Sequence, residues 1–521
     1  MMTPKPVAVP APKLSQLLRL AGLRSLDGPL ASDHVVTSIA DDSRMVRDGA
    51  CFVAVCGGGF DGHRFVGDAV RAGASCVVIE KPCQVPDHVA AVRVPNTREA
   101  LAKLAAAYYG LLGEGTTSPR LIGITGTNGK TTTAWMLRGI LRAAGEPTAL
   151  LGTIEYDLVS RRVDAPLTTP GPIALCAHIA EAREAGATYA VLEVSSHALD
   201  QRRCAGLRFD AGVFTNFSGD HLDYHGTKEA YFSAKRRLFD ALDDRAVALI
   251  NLDDPRSRDL MRAAEPARVV TYALDAGDAE VSAKIEYSGR DATGIAMRCG
   301  SASVEIRLAV VGRHNVYNAI AAAACADSIG IGIDAIRAGL EGLSEVPGRL
   351  QRVGVGDQPF SVFVDYAHTD DALDNVLRAL RPLTDGRLIC VFGCGGDRDR
   401  TKRPRMAAVA ERWCDVVHVT SDNPRTEDPD AIIKDIVAGL RRNGDARVLV
   451  DADRRNAIEA AIRDADRGDV VLIAGKGHET VQLIGGETHA FDDVEVARSC
   501  LVRRETTTCD VRDAVRSEEV A

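Results

Sequence analysis

Residues 122–133 read Ile-Gly-Ile-Thr-Gly-Thr-Asn-Gly-Lys-Thr-Thr-Thr, a glycine-rich turn that ends in Lys-Thr between an apolar strand and a helix. A turn of this kind cradles phosphate. Backbone N–H groups across Gly126, Thr127, Asn128 and Gly129 can point at phosphate oxygens, and the positive end of the following helix adds to them. Lys130, Thr131 and Thr132 then stand where the outer phosphates and Mg²⁺ would be met, so ATP is the expected ligand. The strict Gly-x-x-x-x-Gly-Lys-[Ser/Thr] spacing would need Gly at position 124, where this chain has Ile124. The loop is therefore a variant.

Two further groups follow. Glu193 ends an apolar strand predicted over 189–194, a place from which a carboxylate reaches Mg²⁺ at the mouth of the loop; a solvated strand-end carboxylate is the plainer reading. Residues 215–223 supply His221 with Asp220 and Asp223, a set able to hold a second cation beside a transferring phosphoryl group, or else simply a polar turn.

The elements that must position these groups are those of an α/β chain. At 521 residues it is too long for one core and suggests three domains. Hydrophobic content of 46%, charged content of 26% and a net charge of -9 fit a globular protein and exclude a nucleic-acid binder driven by phosphate neutralisation. The N-terminus is broken by proline and no apolar run reaches membrane-spanning length, so a cytoplasmic location with no membrane insertion is expected. Thirteen cysteines without Cys-x-x-Cys pairs, among them Cys390 and Cys394 in an apolar run, read as buried free thiols.

The first domain is expected over 1–115, closing in the linker-like Gly-Glu-Gly-Thr-Thr-Ser-Pro of 113–119. The central ATP-binding α/β domain, read as successive βα units, is expected over 116–345, and a C-terminal Rossmann-like domain over 346–505. Strands predicted at 361–365, 388–392, 416–420, 447–450 and 470–474 alternate with helical stretches, which reads as a doubly wound parallel sheet. The polar motifs 365–368, 393–399, 422–425 and 475–479 all follow strand carboxyl ends, where such sheets bind ligands. The polar tail 506–521 reads as disordered.

The loop 126–131, directly after Ile-Thr, resembles that of the Mur ligases and of the related folylpolyglutamate synthetases. Thr215-Asn216, Asp220-His221-Leu222-Asp223 and Tyr231-Phe-Ser-Ala-Lys235 together resemble the central domain of the Mur ligases. The resemblance implies Mg²⁺ contacts from Thr131, Glu193 and His221, and it puts Lys235 where several members carry a carbamylated lysine, an anion able to meet a cation. It also implies an adenine-side contact at Asn315, within Gly-Arg-His-Asn-Val-Tyr-Asn, and an arginine facing the phosphates at Arg349. Capping of an Ala-rich helix over 319–326 is the alternative role for Asn315.

Within the family the outer segments choose the substrates. Asp42-Ser43-Arg44 and the Gly57 to His63 run resemble the UDP pocket of the third amino-acid-adding ligase, with Ser43 as the contact. Thr168, Thr169, Ser195, Gln201 and Arg203 match its sugar-peptide contacts, while Leu167 departs from the Asn of some members. Asp422-Asn423-Pro424-Arg425 resembles the signature of members that add meso-diaminopimelate. A guanidinium at Arg425 can hold the second carboxylate of that amino acid in two parallel hydrogen bonds. Arg398, Gly475 and Glu479 match its other contacts. The implied activity is ATP-dependent ligation of meso-2,6-diaminopimelate to UDP-N-acetylmuramoyl-L-alanyl-D-glutamate through an acyl phosphate, in peptidoglycan precursor synthesis, by a monomer. The alternatives are the L-lysine-adding ligase, a folylpolyglutamate synthetase and a non-enzymatic nucleotide-binding regulator.

Overall fold

A computed structural model describes residues 11–30, 32–57, 59–113, 119–355, 358–441 and 445–504. Most of the expected linker and all of the expected disordered tail lie outside the described residues.

Three sheets organise the chain. The first has four parallel strands in chain order, Ser38–Ala40, Ala50–Val53, Ala74–Ile79 and Ala90–Arg93. The helix Thr97–Tyr108, capped by Asn96 accepting from the Glu99 N–H, covers this sheet with Ala100, Leu101 and Leu104.

The second sheet has eleven strands, and its parallel centre places Arg120–Thr125 between Ala211–Phe214 and Tyr189–Glu193. Ile122 and Ile124 are fully buried, and the helix Lys130–Ala143 packs Ala134, Leu137, Ile140 and Leu141 on this side of the sheet. Each such leucine or isoleucine contributes about 1.5–3 kcal/mol by burial, so the loop between strand and helix is held at both ends. The reading of this segment as βα units throughout fails over 281–308. There Val281–Ser288, Thr293–Cys299 and Ala302–Leu308 form an antiparallel meander on the sheet edge. Alternating burial in Ala302–Leu308 carries the strand period, which a βα reading overlooks.

The third sheet runs Gln351–Val353, Ser361–Asp365, Val470–Ala474, Leu388–Phe392, Val416–Val419, Arg447–Val450. All neighbours are parallel except the first pair. Ser361–Asp365, Leu388–Phe392 and Val470–Ala474 are buried along their whole length, as strands covered on both faces must be. The hairpin Val481–Ile484 with Glu487–Ala490 forms a separate two-stranded sheet after the last central strand.

Candidate active site

The phosphate loop leaves the carboxyl end of a central strand and enters the helix Lys130–Ala143 through Gly129, at φ 86°. A Cβ there would overlap the Asn318 amide oxygen, so position 129 needs glycine for both space and conformation. Asn216 braces the loop, its carbonyl accepting from the Thr127 N–H at 2.8 Å and its side chain from the Asn128 N–H at 3.0 Å. Lys130 Nζ donates to the carbonyls of Gly126 and Thr127 at 2.9 and 2.8 Å. Burial lowers its pKa, against the attraction of Glu193 and Asp220. Thr132 is buried beside it.

Glu193 is 1% exposed, so the plain reading of a solvated strand end does not hold. Its Oε2 accepts from the hydroxyls of Thr131 at 2.9 Å and Thr153 at 2.8 Å, and Oε1 accepts from the Thr153 N–H at 2.8 Å. Thr153 was not singled out from the sequence. Its hydroxyl also lies 3.2 Å from that of Thr168, joining the predicted metal residues to the predicted sugar-peptide residues. Behind Glu193, the Thr169 hydroxyl donates to the Glu193 carbonyl at 2.7 Å and accepts from the Ser195 N–H at 3.0 Å. Arg203 donates to the Thr169 carbonyl at 2.7 Å and to Gln201 Oε1 at 2.8 Å. Thr168, Thr169, Ser195, Gln201 and Arg203 thus form one cluster. Leu167 is half-exposed, and its carbonyl accepts from the Tyr156 hydroxyl.

His221 stands on the other flank of Lys130. Its backbone is left-handed at φ 52° and its ring packs on His197 at 4.8 Å and faces Asp220 at 3.5 Å. Burial, with His197, Lys130 and Lys235 beside it, lowers its pKa to about 4 despite Asp220, which leaves the neutral imidazole that ligates metals. Lys235, on the helix Lys228–Asp240, is 1% exposed; its Nζ donates to the Gly126 carbonyl at 2.7 Å and lies 4.3 Å from the centre of the Tyr231 ring. Burial first, and Lys130 second, push its pKa well below the usual lysine value.

Asn315 does not cap. The helix Arg313–Ser328 has Gly312 at its N-cap, and the Asn315 amide donates back to the Val311 carbonyl at 2.8 Å. Asn318, one turn further on, sits beside Gly129 instead: it donates to Asn315 Oδ1 at 3.1 Å, and its own Oδ1 lies 3.3 Å from the Thr133 hydroxyl in the first turn after the loop. Its signal was the second Asn of Asn-x-x-Asn at helical spacing.

The third sheet closes over this loop. Arg349 Nη2 donates to the Thr131 hydroxyl at 3.1 Å, its guanidinium lies over the Tyr366 ring, and its buried Nε has no partner. An orphaned donor beside the loop suits an anion. Asp371 accepts from Asn128 Nδ2 at 2.8 Å and from the Ser218 hydroxyl at 2.9 Å, a second strap across the cleft that the sequence did not disclose.

On the facing edge, Asp422, Asn423 and Pro424 are buried, while Arg425 takes a left-handed φ of 56°. A non-glycine residue held there costs on the order of 1–3 kcal/mol, a strain that marks functional loops. The Arg425 N–H donates to the Leu483 carbonyl at 2.9 Å and Nη1 to the Gly396 carbonyl at 2.7 Å. Gly475, at φ 119°, puts its backbone against the Asp422 carboxylate. Asn423 Nδ2 donates to Glu479 Oε2 at 2.7 Å, and the fully buried Lys476 Nζ bonds both at 3.2 Å. Lys476 is a fourth residue missed, after Thr153, Asn318 and Asp371. Arg398 is exposed on the rim.

Ser43 stands apart on the first sheet's side, in the turn Ser43–Met45 capped by Asp42. Nearby, Cys56, Asp61 and His63 converge within 4.8 Å. His63 Nε2 accepts from the Glu80 N–H at 2.9 Å, so Nδ1 carries the proton given to Asp61, and Lys81 already neutralises that carboxylate; the group is not built for a metal.

Among the described residues no helix is long and apolar enough to cross a membrane. Family models match along the chain: "Mur ligase family, catalytic domain" over 35–109, "Mur ligase middle domain" over 124–326 and "Mur ligase, glutamate ligase domain" over 348–477. The UDP-N-acetylmuramoyl-L-alanyl-D-glutamate–2,6-diaminopimelate ligase of Geobacter metallireducens is 44% identical over 504 residues, covering 93% of this chain and 97% of its own. That of Geobacter sulfurreducens is 43% identical over 505 residues, covering 93% and 98%. A solved structure of a ligase with the same name superposes with a TM-score of 0.66 at 35% identity, over 90% of this chain and 96% of its own. The chain belongs to the Mur ligase family.

Proposed function

We propose that this chain is the ATP-dependent ligase that joins meso-2,6-diaminopimelate to UDP-N-acetylmuramoyl-L-alanyl-D-glutamate. The relatives at 43–44% identity over nearly the full length carry that name. The observation that carries the reading is the Arg349–Thr131 bond, which brings the amino-acid edge of the third sheet against the phosphate loop. A carboxylate and an amine do not condense unaided in water, so the D-glutamyl side-chain carboxylate first attacks the γ-phosphorus of ATP, the bond to the β–γ bridging oxygen breaks, and ADP leaves an acyl phosphate. The amine of diaminopimelate then attacks the acyl carbon, the C–O bond to phosphate breaks, and the amine gives up a proton.

In this reading Lys130, the loop amides and Arg349 stabilise charge on the transferring phosphoryl group. The hydroxyl and carboxylate oxygens of Thr131 and Glu193 are the hard donors that suit Mg²⁺, and neutral His221 suits a second cation. When bound, the metal neutralises phosphate charge. Carbamylated Lys235 would supply a further anion toward it. Ser43 and the Thr168, Thr169, Ser195, Gln201 and Arg203 cluster take the UDP-sugar-peptide, with Asn315 and Asn318 on the nucleotide side. Arg425 holds the distal carboxylate of diaminopimelate, with Arg398, Asp422, Asn423, Pro424, Gly475 and Glu479 around the amino acid. Closure across Asp371 and Arg349 keeps water from the acyl phosphate. We assign the domains as 1–115 for the UDP-sugar-peptide, 116–345 for ATP and 346–505 for the amino acid, working as a cytoplasmic monomer.

The purified protein with ATP, Mg²⁺ and UDP-N-acetylmuramoyl-L-Ala-D-Glu should release phosphate and form the tripeptide product by mass with meso-diaminopimelate and not with L-lysine. Preference for lysine would overturn the amino-acid assignment, and no turnover with either would overturn the acceptor.

A further inference from the structure

We propose that Arg454, a residue that cannot reach any substrate, is a positioning residue for the incoming amino acid, setting the separation of the two loops 422–425 and 475–479. The proposal rests on the function proposed above and extends it. Arg454 opens the helix Arg454–Arg463, and its side chain and that of Asp493 are both 0% exposed. Nε and Nη2 donate to the two Asp493 oxygens at 2.8 and 2.7 Å, a planar two-point clamp that fixes the guanidinium. The remaining donors go elsewhere. Nη1 donates to the Ser421 carbonyl at 3.3 Å and Nη2 to the Ala474 carbonyl at 3.0 Å.

Those two carbonyls matter because of where they sit. Ser421 immediately precedes Asp422, and Ala474 immediately precedes Gly475. The strands that deliver them, Val416–Val419 and Val470–Ala474, are not neighbours, since Leu388–Phe392 runs between them. No ladder hydrogen bond joins these two strands directly, and Arg454 spans the gap above the strand between them. The loops it spaces are in tight register above it: the Gly475 backbone abuts the Asp422 carboxylate, Gln482 Nε2 donates to the Asp422 carbonyl at 2.8 Å, and Asn423 bonds Glu479.

A buried ion pair is a poor device for stability alone, because apolar side chains of similar volume commonly do as well; its retention here fits a geometric task. A small change in loop separation is enough to matter, because both ends of a long zwitterion must be met at once.

The test compares wild type, Arg454→Lys and the apolar pair Arg454→Met with Asp493→Leu. Melting curves and KM are measured for ATP, for UDP-N-acetylmuramoyl-L-Ala-D-Glu and for the amino acid that wild type uses. The apolar pair should melt close to wild type and raise the amino-acid KM about tenfold or more, leaving the other two KM values within about twofold. Arg454→Lys, which keeps the charge and loses the fork, should fall between them. A wild-type amino-acid KM in the apolar pair, or equal rises in all three KM values, would overturn the positioning role. A wild type that rejects diaminopimelate would instead overturn the functional reading, and the loop-spacing claim would then be decided with the amino acid it accepts.

Discussion

Lys130 and Lys235 donate to one and the same oxygen, the Gly126 carbonyl, at 2.9 and 2.7 Å. Two ammonium groups sharing an acceptor in a buried place repel each other, and Lys235 is the more strongly depressed of the two, so it is the more readily deprotonated. A neutral amine is the form that reacts with CO₂. The carbamate it would become is an anion beside Lys130, so the repulsion turns into attraction.

Lys235→Ala should therefore lose activity by about a hundredfold or more and recover part of it with added acetate or formate, which restore a carboxylate where the carbamate stood. Phosphate release across a titration of acetate reads the effect. Full activity in the variant without acetate would refute the need for an anion at this position.

Burial of the same amine also has a cost in stability whose pH dependence has a definite sign. The folded-state pKa lies below the unfolded value, so the unfolded chain binds the extra proton. The destabilisation is complete below the folded pKa, fades as pH rises through it, and is gone above the ordinary lysine value. In bicarbonate-free buffer Lys235→Met should melt higher than wild type at neutral pH, by about 2–4 °C for each kcal/mol recovered, and the gap should close toward pH 10. A gap that widens with pH would contradict the assignment.

Gly129→Ala places a Cβ on the Asn318 amide oxygen at a backbone angle that alanine adopts poorly. It should weaken ATP binding about thirtyfold or more by calorimetry while the fluorescence and far-UV spectra of the fold persist. Unchanged ATP affinity would mean that the turn tolerates the side chain and that Asn318 is not its support.

The parts of this site that were legible in the sequence are those whose chemistry is local. The strand–loop–helix run ending in Lys130-Thr131 names its own ligand, Glu193 marks the carboxyl edge of the second sheet, and Asp422 and Gly475 mark that of the third. What escaped is what only the fold brings together. Thr153 lies forty residues from Glu193, and nothing nearby in the chain says that its hydroxyl and N–H both serve that carboxylate. Asp371 reads as an ordinary first-turn acid of the helix Asp370–Leu380, and only domain packing lays it on Asn128. Lys476 reads as a surface charge until its burial against Asn423 and Glu479 is seen. The meander over 281–308 was missed for a different reason: its strands, seven and eight residues long, pair antiparallel at the sheet edge, and their alternation was absorbed into the βα reading of the segment around them.

Asp371→Ala should remove the strap from the third domain to Asn128 and Ser218 while leaving Arg349 in place. The expected result is a modest loss, about three- to tenfold in kcat/KM for ATP, together with faster uncoupled phosphate release when the amino acid is withheld, since a looser cleft admits water to the acyl phosphate. Phosphate release without amino acid that stays at the wild-type level would show that this contact does not guard the intermediate.

Arg425→Ala separates the amino-acid assignment from everything the family shares. In the proposed function this guanidinium meets the distal carboxylate, and truncating one partner of a buried, hydrogen-bonded charge pair costs about 2–5 kcal/mol. The KM for meso-diaminopimelate should rise about thirtyfold or more and that for ATP by no more than about twofold. Arg425→Lys keeps the charge and loses the two-point geometry, so it should recover only a small part of the affinity. Equal effects on both substrates would assign Arg425 to the scaffold, through its bonds to Gly396 and Leu483, and would leave the specificity for diaminopimelate without its carboxylate anchor.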